Sequence, residues 1–131
     1  MLTFALLTTA LLFGGMVLFA FGFAAFLFTA LPPDVAGPTI RRAFPHFYLF
    51  VMASAALAAA LLASHDGTGA AWLALIAATT LPTRQVLMPA INGATDQGRK
   101  ARFRVLHGLS VVITLAHILM AGHVLARFLN G

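Results

Sequence analysis

Apolar side chains run almost unbroken along the chain, and the interruptions define its elements. The first run, from about Leu2 to Leu31, has no charged residue and stops at Pro32-Pro33. A second begins at Phe44-Pro45-His46 and fades near Ser64, where His65-Asp66-Gly67-Thr68-Gly69 makes a polar turn. A third extends from about Ala70 to Ala90, and a fourth from Phe103 to Phe128. The second half of the third is the least apolar stretch, with Thr79, Thr80, Pro82, Thr83, Arg84, Gln85 and Pro89. A helix crosses a bilayer with about 20 mostly apolar residues. The pattern therefore predicts an all-α membrane protein, an up-and-down four-helix transmembrane bundle. It is expected to form one domain over residues 1–131, with helices over about 3–31, 45–64, 70–90 and 103–128. The first run lacks the basic n-region of a signal peptide and exceeds its short apolar core, so it reads as a retained helix. Pro45 is expected in the first turn of the second helix, where a missing N–H costs nothing.

Composition agrees with this pattern. Of 131 residues, 61% are hydrophobic and 8% charged, with a mean hydropathy of +0.97. A water-facing domain needs about 25% charged residues, so lipid is the better solvent. The net charge of +5 does not indicate nucleic acid, because the basic residues fall in short stretches between apolar runs and suit lipid headgroups. Cysteine is absent, which excludes disulfides, thiolate nucleophiles and Cys-ligated metal sites.

The basic residues also predict orientation. Arg41 and Arg42 lie in the first loop, Arg84 near the end of the third helix, and Arg99, Lys100, Arg102 and Arg104 in the third loop; Arg127 alone lies at the other end. In a bacterial inner membrane this places loops one and three in the cytoplasm. Both termini and the Asp66 turn are then periplasmic, with Tyr48 and Trp72 near opposite interfaces. Ala55, Ala59 and Ala63, widened by Ala56 and Ala60, and Gly14, Gly15 and Gly22 offer small faces for close helix packing.

Polar groups within the spans are the candidates for chemistry. His107, Ser110, Thr114 and His117 fall within about 80° on one helical stripe and are expected to face the bundle interior. They form a relay or ligand stripe, or a hydrogen-bond seam with Thr79, Thr80, Thr83 or Gln85. His46 and His107 are expected at matching depth at the cytoplasmic end. They are haem or metal ligands together with His117, or ordinary interfacial histidines. Their gap is expected to be filled by Tyr48, Ser110 or backbone carbonyls. Arg84 either snorkels to headgroups or binds an anion, and Arg99, Lys100, Arg102 and Arg104 form a headgroup-contacting cluster. His65 is expected in solvent. No phosphate-binding glycine loop, HExxH or Gly-x-Ser-x-Gly motif is present. No acidic residue falls within a span, which counts against proton-coupled transport.

Three ordered stretches carry a family resemblance. They are Leu31-Pro32 followed by Phe44-Pro45-His46-Phe47-Tyr48, then Leu87-Met88-Pro89, then Phe103-Arg104-Val105-Leu106-His107-Gly108-Leu109-Ser110. Together they make the chain similar to the transmembrane protein 205-like group, a domain-of-unknown-function family. The likeness implies a four-helix membrane fold and no assigned activity. More distantly the architecture resembles the CopD-like copper-resistance proteins and HemJ-like porphyrinogen oxidases, by fold alone.

The leading expectation is a non-catalytic accessory or structural subunit of a larger membrane complex, without a cofactor. Its expected partners are the bilayer and other membrane subunits or further copies of itself. A haem- or metal-handling protein, an oxidoreductase among them, is the alternative, and a small-molecule transporter the third.

Overall fold

The computed structural model describes all 131 residues. It is helical throughout: α1 (Leu2–Ala30), α2 (Pro33–Leu62), α3 (residues 67–96) and α4 (Lys100–Asn130) are joined by short turns. Consecutive helices pack on each other and α1 also packs on α4, closing a four-sided arrangement in chain order.

The helices are longer than the apolar runs. α2 begins at Pro33 rather than at Phe44-Pro45, and α3 and α4 extend past 70–90 and 103–128. The loop expected around Arg41 is therefore helix. Pro33 occupies the first helical turn, and Asp34 places a carboxylate against the positive helix end. Pro38 and Pro45 then lie inside the helix. Pro45 cannot donate to the Arg41 carbonyl, yet the helix continues, with its own carbonyl accepting a bond from Arg84 Nε at 3.1 Å on α3. A helix of 30 residues spans about 45 Å, against about 30 Å of hydrocarbon in a bilayer.

Two helices contain a π turn. In α1 it covers Leu18–Phe23, where the Ala24 N–H reaches the Phe19 carbonyl. In α3 it covers Thr83–Leu87, where the Met88 N–H reaches the Thr83 carbonyl. Pro89 follows in the next turn and has no N–H for Gln85, so regular α bonding is already interrupted there. α1, its π turn included, α2 and α4 are long and apolar enough to cross a membrane, whereas α3, with the most polar second half, is not among them. These apolar helices point to a membrane-spanning protein.

The core is formed by one face of each helix: Leu12 and Met16 of α1, Val51 and Leu62 of α2, Leu73 and Ile76 of α3, and Val124 of α4 are at most 2% exposed. Ala55 and Ala58 supply the small positions on α2, while Ala56, Ala60 and Ala63 face outward. On α1, Gly15 admits the Phe50 ring, which would lie 2.5 Å from a Cβ built there. Phe19 stacks on Phe47 at 4.1 Å between centroids, and Phe44 packs edge-on to Phe19.

Candidate functional site

Each end of the bundle carries one bidentate ion pair. Arg41 of α2 grips Asp96 at the end of α3, with bonds of 2.7 and 3.0 Å. The Arg127 guanidinium of α4 grips Asp66 at 2.6 and 2.7 Å. Asp66 is also the N-cap of α3 and accepts from the Gly69 N–H at 3.0 Å. These contacts, led by the hydrogen bond from Arg127, lower the Asp66 carboxyl from its ordinary range to about 2. The Asp96 carboxyl is likewise lowered, chiefly by its bond from Arg41. Neither pair was singled out from sequence, where acids and bases 55 and 61 residues apart carry no local signal.

Of the polar stripe on α4, Ser110 and His117 are buried, at 8% and 6% exposure, Thr114 is half-buried, and His107 is exposed. His117 Nε2 lies 2.8 Å from Thr79 Oγ1. The single Thr79 hydroxyl proton has a carbonyl acceptor at Leu75 O, 2.7 Å away. The imidazole then donates from Nε2, which selects that tautomer. Ser110 donates to the His107 carbonyl within α4. The stripe thus divides into an interhelical bond deep in the bundle and a turn nearer its basic end.

That end contains a hollow of about 360 Å³ walled by all four helices. Phe28, Ile40, Phe44, Met88, Ile91 and Phe103 give it an apolar lining. Tyr48, Asn92, His107 and Ser110 bring polar groups to it, and the Arg41 pair lies at its wall. Every fully enclosed side-chain nitrogen and oxygen in the protein has a hydrogen-bond partner. Tyr48 is 6% exposed, and its hydroxyl makes no such bond, so its residual accessible surface includes the oxygen. His107 stacks on Phe103, with planes 7° apart and centroids 5.4 Å apart. His46 is exposed on α2 and does not line this hollow; with α2 beginning at Pro33, it lies well inside that helix rather than at its start.

Arg84 spans from α3 to the Pro45 carbonyl and also reaches Gln85 at 3.2 Å. Arg99, Lys100, Arg102 and Arg104 are exposed where α4 begins. At the opposite end, His65, Asp66, His123 and Arg127 border an open hollow of about 600 Å³, and Trp72 packs edge-on to His123.

No curated protein and no solved structure matches the chain. A match to a family described as a domain of unknown function covers residues 7–100, from the first turns of α1 to the first residue of α4. The chain belongs to that family, DUF4149.

Proposed function

We propose that this chain is a multi-pass protein of a bacterial inner membrane that acts as a non-catalytic accessory subunit. The observation that carries the reading is its inverted surface. Only 27 of 131 residues are buried, while Phe4, Leu7, Leu18, Phe21 and Phe26 of α1 are each 59–69% exposed. Such an exterior suits lipid tails or another membrane subunit and is costly in water. α1 buries the smallest share of its apolar window, 17% against 39% for α2, and is the helix with most surface left for a neighbour. All four helices then span the bilayer, α3 with its π turn inside it. The likeness to the transmembrane protein 205-like group favours the same placement.

The basic start of α4 supports an orientation. Cations at a helix N-terminus oppose its dipole by about 0.3–1 kcal/mol each, so Arg99, Lys100, Arg102 and Arg104 do not favour the helix itself and suit anionic cytoplasmic headgroups. Both termini then face the periplasm. The chain has no native cysteine, so Asp34→Cys, Ser64→Cys and Gln97→Cys give single labels in intact cells treated with an impermeant thiol reagent. Labelling at position 64 alone is expected. Labelling at 34 or 97 and not 64 reverses the orientation. Mildly solubilised native membranes separated by size test the subunit role. Migration in an assembly with larger subunits is expected, whereas an isolated chain with a haem Soret band supports the bis-imidazole alternative and overturns the non-catalytic reading.

A further inference from the structure

The hollow at the basic end has no role as part of an accessory subunit's exterior. The geometry points to a binding site for a neutral, flat molecule of one or two rings bearing hydrogen-bond-accepting oxygens, the chemistry of a membrane-soluble quinone. Three independent features set this class.

The first is size. An apolar cavity of about 150 Å³ admits benzene. About 360 Å³ accommodates a substituted ring or two fused rings, within the usual range of small-molecule sites. The second is the wall. Phe28, Phe44 and Phe103 present aromatic surface, which favours stacked or edge-on ring packing. The third is the polar complement. Tyr48 has a hydroxyl proton without an acceptor although the residue is 94% enclosed, corresponding to its 6% exposure. Asn92 from α3 and His107 from α4 also reach the hollow without a side-chain hydrogen bond. These groups can donate to oxygens on different edges of one ring.

Charge argues for neutrality. The only cationic side chain lining the hollow is Arg41, and both of its terminal nitrogens are engaged by Asp96. An anionic headgroup would have to compete with that carboxylate, whereas a carbonyl or methoxy oxygen needs only a donor. Tyr48 supplies one from α2, and its exposure distinguishes this hollow from a purely apolar void that would remain dry.

The test uses the full chain in lipid nanodiscs, with equilibrium dialysis of duroquinone and of durene, its tetramethylbenzene counterpart without oxygens. Saturable duroquinone binding, about tenfold tighter than durene, is expected. Tyr48→Phe is expected to weaken duroquinone about three- to tenfold, one neutral hydrogen bond, while leaving durene unchanged. Its thermal unfolding should match the wild type, because the hydroxyl holds no bond in the fold. Asn92→Ala gives a second variant from another helix and should also weaken duroquinone selectively. Equal binding of the two probes, or duroquinone affinity unchanged in both variants, overturns the proposal. Displacement of duroquinone by added phosphatidylglycerol also overturns it, in favour of a lipid-headgroup site. The test is independent of any partner subunit, so its failure leaves the accessory role standing.

Discussion

At the scale of single residues, most hydroxyl side chains within the helices donate to a carbonyl one turn back in their own helix, and few polar side chains reach a neighbouring helix. His117 and Thr79 are the clearest case of such a reach, linking α4 to α3 at 2.8 Å. Thr79→Val removes the hydroxyl and keeps the shape. Interhelical hydrogen bonds in membranes average about 0.6 kcal/mol and reach about 1.7, so a loss in that range is expected in reversible unfolding in bilayers or bicelles. No measurable change would assign the bond a purely geometric role. Helical spacing alone pointed to the inward face that Ser110 and His117 share, although His107 of the same stripe is exposed. The partner of His117 was one of several threonines, because spacing gives a direction around one helix but not the height of a neighbour. Tyr48 was legible as an interfacial aromatic and as a group expected to fill the gap beside His107, whereas it lines a hollow there; nothing in a sequence reveals that a hydroxyl lacks an acceptor.

Among the elements, the order of the four helices follows from the apolar runs, but their ends do not. Hydropathy marks the part of a helix suited to lipid, whereas Pro33, Asp34 and the Arg41–Asp96 pair sustain α2 well before that part begins. The π turn in α3 was visible only as a polar, proline-flanked weakness. A π turn holds one extra residue relative to α geometry. Deleting Val86, which is 68% exposed, should therefore relax Thr83–Leu87 toward α helix without rotating the flanking segments. Deleting Ala78 from the regular part should turn the following residues by about 100° and disturb the burial of Thr80 and Met88. Thermal unfolding and helicity of the two deletions compare them: the Val86 deletion is expected near wild type and the Ala78 deletion strongly destabilised. The reverse order contradicts the register argument. A close approach on α1 gives a second element-scale test. Gly15→Ala places a methyl against Phe50, and overpacking of this kind costs about 1–3 kcal/mol; a matching fall in unfolding stability is expected.

For the molecule as a whole, the two ion pairs tie opposite ends of the bundle. The Asp66 carboxyl is lowered from 3.8 to about 2 in the fold, so its pairing contributes stability above about pH 4. That contribution is lost as pH falls toward about 2, when the folded state must also take up the proton. Asp96 shifts in the same direction. Acid titration of unfolding stability should therefore show a decline below about pH 4 that is reduced in Asp66→Asn. An unchanged acid profile in that variant would remove Asp66 from the cause. The sequence conveyed the helical, apolar class of the molecule through its apolar runs. It could not convey the pairs, which depend on which helix ends meet.

The Asp66–Arg127 clasp bears on how the chain is made. Arg127 is synthesised 61 residues after Asp66, when the hairpin of α2 and α3 can already be in place. If Arg127 is carried across the membrane with the last helix, it moves a positive charge in the disfavoured direction and meets a waiting carboxylate that neutralises it. In the proposed orientation Asp66, besides capping α3, would give that translocated cation a fixed destination, and the bundle would close only when the last helix has arrived.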